Sequence, residues 1–217
     1  MSGLLVSVDV GGTLGQADRP SLATVVADAS PLDPAEARRV LRRLYVQRSI
    51  TSEFVADLCR VLRVPVAVFE CAVGPSRLLL VPGALTALRA MSQHATLVTL
   101  SNVTCLEASI DQLRDLLHPW VQDHFPSCRT GLAKPDPATF RYVARACHTD
   151  TAHMVHIGDD WTCDVVGARA ARVTAIWLSY GRPVPEPERL GDDGVLVATD
   201  LAAAGRHITD LALRRPS

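Results

Sequence analysis

Three observations in this chain predict an α/β fold: a Rossmann-like parallel sheet core with a small helical insertion after the first strand. The run Leu4–Val8 is apolar and delivers Asp9 to a Gly11-Gly12 turn closed by Thr13, as a buried parallel strand does when it hands a carboxylate to a phosphate-binding loop. From Val81 onward, short apolar runs alternate with amphipathic stretches, which is the signature of βα units. Between them, Leu22 to about Leu80 carries helical patterns and no strong strand.

Each element has its own local cause. Gly15–Pro20 reads as a loop. Asp33-Pro34-Ala35-Glu36 sets a capping Asp, a first-turn Pro and a Glu three residues after the cap at a helix start, with Val40, Leu41 and Leu44 on one face. Thr51 or Ser52 caps the next helix, where Phe54, Leu58, Val61 and Leu62 recur at helical spacing. Pro82-Gly83 opens a helix running through Met91, and "ATLVTLSN" is a buried strand. Leu106, Ile110, Leu113 and Leu117 mark an amphipathic helix, and Asp136-Pro137 caps another. "HMVHIGD", "VTAIWLS" and "GVLVA" are strands, "VVGARAA" is a helix, and Asp200 starts the last helix. Residues 1–15 and 81–217 then form the core domain, and 16–80 a helical domain.

Composition narrows the function. A chain of 217 residues and 23.4 kDa holds one core domain and a small insertion, since domains most often run to about 100–150 residues. A net charge of -1 gives no reason to expect nucleic acid or an anionic membrane, which call for a basic surface, so a small ligand is the expected partner, bound by a monomer or homodimer. No apolar segment approaches the roughly 20 residues that span a bilayer, and no charged n-region precedes a long apolar run, so the expected location is cytoplasmic. Six cysteines are scattered without a C-x-x-C pair and read as free buried thiols. Among 22 basic residues the single lysine is Lys134, in "GLAKPDP", where a compact point charge rather than a planar fork is wanted.

Active sites in parallel sheets lie at the carboxyl ends of the strands. Four strand ends or following loops carry polar groups: Asp9 with the amides of Gly11 and Gly12; Ser101-Asn102; Lys134; and "GDDWTCD" with Asp159, Asp160 and Asp164. Asp-x-Gly-Gly-Thr also suits a phosphate loop of actin-like sugar kinases, but no second similar domain with further phosphate and adenosine motifs is evident.

In this order and at these strand ends, the four motifs resemble those of the haloacid dehalogenase (HAD) superfamily, a nucleophilic Asp, a Ser or Thr, a Lys and a paired-Asp motif. The likeness covers nearly the whole chain, with Leu22–Leu80 matching the helical (C1-type) cap that many members insert after the first motif. It implies a Mg2+-dependent hydrolase in which Asp9 attacks phosphorus and Asp9, the Gly11 carbonyl and Asp159 hold the ion. Asp164 would orient Asp159, Lys134 or a metal-bound water, with Asp160 able to substitute, so it belongs to the same metal set. Lys134 and Ser101 would complete the catalytic set. Gly11, Gly12, Ser101, Asn102 and Lys134 would bind the phosphate.

The departure from that pattern is Gly11, where phosphatase members carry a second Asp that protonates the leaving group and later activates water. Acid–base catalysis supplies about 10²–10⁴-fold, so its loss costs roughly 3–5 kcal/mol of transition-state stabilisation unless another group acts. The phosphonatase branch needs a cap lysine, which this chain lacks, and the dehalogenase branch works without metal and has no need of "GDDWTCD". The expectation is therefore a slow phosphatase on a small phosphate ester, or an attenuated member that binds a phosphorylated ligand or protein partner. Arg38, Arg39, Arg42, Arg43 and Arg48 form a solvated face of the cap, with steering of acidic substrates as the other reading. His156 and Trp161 are expected to pack rather than react.

Overall fold

The computed structural model describes residues 3–74, 76–186 and 194–214. In chain order the elements are β1 (Leu5–Val8), β2 (Gly15–Ala17), α1 (Leu22–Ala29), α2 (Pro34–Tyr45), α3 (Ser52–Leu62), α4 (Val66–Ala72), β3 (Leu78–Leu80), α5 (Ala84–Ser92), β4 (Thr96–Ser101) and α6 (Ile110–Leu117). Then come β5 (Val121–Pro126), α7 (Ser127–Thr130), α8 (Pro137–Ala146), a 3₁₀ turn, β6 (Met154–Gly158), a π-helical turn at Trp161–Val166, α9 (Gly167–Ala170), β7 (Thr174–Leu178), β8 (Val195–Ala198) and α10 (Leu201–Leu213).

Six strands form one parallel sheet in the order β5-β4-β1-β6-β7-β8. The chain builds outward from β1 to one edge, returns, and builds outward to the other, which is the Rossmann-like order with its switch point beside β1. Strands buried on both faces need apolar side chains on both. One cluster, including Val6, Val8, Leu88 and Met91, packs α5 and α10 against one face; another, including Leu100, Phe140 and Trp177, fills the opposite face beneath α8 and α9.

Helices α1 to α4 have a separate apolar interior, centred on Leu22, Leu41, Leu44, Leu58 and Leu62. Full burial of each such side chain stabilises by about 1.5–3 kcal/mol, so this segment carries its own core. Asp33 accepts from the backbone N–H of Ala35 at 2.9 Å and of Glu36 at 3.3 Å, and Thr51 accepts from that of Phe54 at 3.2 Å; these are the caps that start α2 and α3.

Four local readings change, the first being that α6 starts at Ile110 behind the cap Ser109 and leaves Leu106 outside the helix. Gly15–Ala17 is a strand, paired antiparallel with Leu78–Leu80, so the helical segment leaves and returns through a two-stranded stem. Val121–Pro126 is an edge strand that the sequence concealed, because Gln122 and Asp123 point to solvent and break the apolar run. "VVGARAA" begins inside a π-helical turn and continues as the short α9, rather than forming one regular helix. The thiols are free, but only Cys59 and Cys128 are buried, and Cys71 is exposed. Among the described residues no helix is long and apolar enough to cross a membrane.

Candidate active site

Asp9 follows β1 at the carboxyl end of the sheet and is anchored by its own N–H, which donates to the Ile157 carbonyl at 2.8 Å. Gly12 then turns the chain at φ +82°, and a Cβ built there meets the Asp159 carboxylate at 2.5 Å, so both conformation and space require glycine. Thr13 donates to Asp159 at 3.3 Å, which ties the first loop to the fourth.

Lys134 reaches this point from 125 residues away in sequence, and its buried ammonium donates to Asp9 Oδ1 at 2.7 Å and to Asp164 Oδ1 at 2.6 Å. Its loop is clamped by Asn102, whose side-chain amide donates to the Lys134 carbonyl at 2.8 Å and whose Oδ1 accepts from the Lys134 N–H at 2.9 Å. Ser101, the last residue of β4, is nearly buried, lines the cavity, and makes no side-chain hydrogen bond among the described residues.

Asp164 is held from three sides. Besides Lys134, it accepts from His156 Nε2 at 3.0 Å and from the Asp160 N–H at 2.9 Å. A Cβ at Gly158 would overlap the Asp164 carboxyl group, so the strand end must be glycine for that carboxylate to lie over it. A carboxylate only accepts, so His156 carries its proton on Nε2 and takes the Ser7 hydroxyl on Nδ1, at 2.8 Å. Burial lowers the His156 pKa and keeps the ring neutral.

Electrostatics separate the carboxyl groups. Burial pushes Asp9 up to about 7 against the opposing pull of Lys134. Burial also opposes charge on Asp164, but Lys134 and the His156 hydrogen bond outweigh it and hold that carboxyl well below the usual range. For Lys134, burial is likewise outweighed by Asp164 and Asp9, which hold the ammonium above its usual range. Burial and the neighbouring Asp164 raise Asp159. One cation is thus shared by two carboxylates, and Asp164 keeps the charge more firmly.

Asp9, Asp159 and Asp164 bring carboxylate oxygens within 4.8 Å of one another, the one arrangement among the described residues able to hold a metal ion with three acidic or sulfur and imidazole donors. The cavity above them encloses about 740 Å³ and is roofed by α1 and α2. Asp9, Gly11, Ser101, Asn102, Lys134, Asp159 and Asp164 all line it, so all but one of the residues singled out in the sequence converge there; Gly12 lies beneath the floor. Asp160 lines it too, and its side chain caps the π-helical turn by accepting from the Cys163 N–H at 2.7 Å. Trp161 packs edge-on against Trp177. Sequence reasoning missed the Ser7 to His156 to Asp164 connection. Its signal was a polar residue in each of two otherwise apolar strands, which the register sets side by side.

Residues 5–172 match the haloacid dehalogenase-like hydrolase family. The chain belongs to that family. Solved HAD structures share its fold over nearly their full length. A 2-haloacid dehalogenase from Pseudomonas syringae pv. Tomato DC3000 superposes with a TM-score of 0.63 at 18% identity, covering 97% of this chain and 99% of that one. A HAD phosphatase from Thermococcus onnurineus superposes with a TM-score of 0.56 at 16% identity, covering 95% and 98%. At the sequence level, a phosphoserine phosphatase from Thermus thermophilus is 37% identical over 71 residues, a stretch spanning 30% of this chain and only 28% of that enzyme. These HAD relatives include both dehalogenases and phosphatases, so the family fixes a hydrolase and leaves the bond it cleaves to the site.

Proposed function

We propose that this hydrolase is a Mg2+-dependent phosphatase that forms an aspartyl-phosphate on Asp9, with α1 to α4 acting as its cap. The observation that carries this reading is the trio of Asp9 and Asp164, both buried, and half-buried Asp159 beside Lys134, because phosphoryl transfer to a carboxylate requires positive charge between two anions. Hard carboxylate oxygens suit Mg2+. Asp9, Asp159 and the Gly11 carbonyl would hold the ion, which supplies charge neutralisation and orients the phosphate. Both Asp164 oxygens already accept hydrogen bonds from the protein, which favours an orienting role for Asp164 over direct ligation.

In the first half-reaction an Asp9 oxygen attacks phosphorus and the bond to the alcohol oxygen breaks. Lys134 neutralises the charge that gathers on Asp9 and the transferring group, and the Ser101 hydroxyl and loop amides bind the equatorial oxygens. Asn102, through its two bonds to the Lys134 backbone, keeps that ammonium on target. Water then cleaves the acyl phosphate and restores Asp9. Gly11 gives neither half-reaction an acid or base, so turnover is slow.

A second reading, a binding member with little turnover, is favoured by Gly11 alone. The test is Mg2+-dependent phosphate release over a panel of small phosphate esters, comparing the wild type with Asp9→Asn. We expect a loss of more than about 10³-fold in the variant. Equal rates for the two proteins, with phosphorylated ligands still bound, would remove the phosphatase assignment.

A further inference from the structure

The roof of the cavity differs in charge from its floor. Arg38 and Arg42 both line it from α2, and their i, i+4 spacing puts them on one face of that helix. Neither forms an ion pair among the described residues, whereas Arg43, one position on, is held by Asp57 at 3.0 Å and lies over the Phe54 ring. The arginines from Arg38 to Arg48 therefore fall into different surroundings, and of them only Arg38 and Arg42 line this cavity. Asp28 of α1 also lines the cavity and is the one acidic side chain on the roof; it pairs with neither arginine. Two cations against one anion leave the roof positive.

Size points the same way. About 740 Å³ is in the range of sites that enclose whole small molecules, far more than a phosphate group alone needs, so the leaving group lies between floor and roof. A planar guanidinium is built to grip a carboxylate or phosphate with two parallel hydrogen bonds. We infer that the substrate carries a second anionic group, a carboxylate or further phosphate remote from the reacting one, and that Arg38 and Arg42 bind it. This rests on the phosphatase reading of the floor, but it concerns binding and is tested without turnover.

The probes are 3-phosphonopropanoate and propylphosphonate, whose phosphorus–carbon bonds resist hydrolysis and which differ in the carboxylate. Calorimetric titration of the full chain with Mg2+ gives the ratio of their affinities. Charge-assisted hydrogen bonds predict about 10- to 100-fold tighter binding of the carboxylated probe by the wild type. In the Arg38→Gln, Arg42→Gln double variant the ratio should fall to about one, while Arg39→Gln, on the same helix but outside the cavity lining, should keep it. Each single variant should give an intermediate ratio and serves if the double variant does not fold. A wild-type ratio near one, a ratio that survives both substitutions, or failure to bind either probe would overturn the inference. A ratio that behaves as expected in a protein that releases no phosphate from any ester would uphold this anion site and remove the phosphatase reading instead.

Discussion

At the carboxyl ends of the strands charged groups are buried and held by one another, whereas in the four helices above them the interior is apolar and the charges stand outside it. Lys134, Asp9, Asp164, His156 and Ser7 form one connected network with donor–acceptor distances between 2.6 and 3.0 Å. Helices α1 to α4 bury leucines and valines and send Arg38 and Arg42 toward the cavity without partners. On the proposed function, the contrast teaches how one cavity serves two purposes. A reacting carboxylate must be held to a fraction of an ångström, which mutual hydrogen bonds among buried groups achieve. A group that reads a variable leaving group works from a long side chain free to adapt.

The sharpest way to break this comparison is to remove the shared cation. Lys134→Met leaves Asp9 and Asp164 facing each other without it, and breaking a buried ion pair from one side costs about 3–5 kcal/mol. Urea unfolding should show that loss, with phosphate release abolished as well. A cost below about 1 kcal/mol would mean that the carboxylates do not depend on the ammonium.

The helical side is probed by Leu58→Ala, at a fully buried position in the interior of α1 to α4. Truncation there costs about 2–5 kcal/mol. If the two regions are separate cooperative units, amide exchange should accelerate in α1 to α4 and stay slow in β1, β4 and β6. Uniform acceleration would show that they unfold as one.

The smallest expected effect concerns a single position of the floor. Nothing lies within 4 Å of a Cβ built at Gly11, whose backbone is not left-handed, so Gly11→Asp adds its Cβ without backbone strain. On the proposed mechanism it supplies the absent acid and base and should raise phosphate release by about 10²-fold. An unchanged rate would place that work on another group of the cavity.

Much of the fold was legible because its signals are local. Asp33 and Thr51 cap the helices they announce, and the apolar runs at Leu4–Val8 and "ATLVTLSN" are strands buried on both faces. The edge strand Val121–Pro126 was not legible, because an edge exposes polar side chains and loses the apolar run that marks a central strand. The β2–β3 stem was hidden for a different reason: three residues on each side, 61 to 65 positions apart, make a strand only by pairing.

The sequence by itself determined the parallel sheet, the helical segment after its first strand, which strand ends carry Asp9, Ser101 and Asp159, and that Lys134 sits in a loop just before a capped helix. These follow from periodicity and from turn and cap chemistry within a few residues. Only the tertiary structure decided that Lys134 bridges Asp9 and Asp164, that Asn102 spends its amide on the Lys134 backbone, that His156 braces Asp164, and that Arg38 and Arg42 line the cavity. The physical reason is that helical and strand periods tell which residues share a face, while the packing of distant elements decides what that face meets.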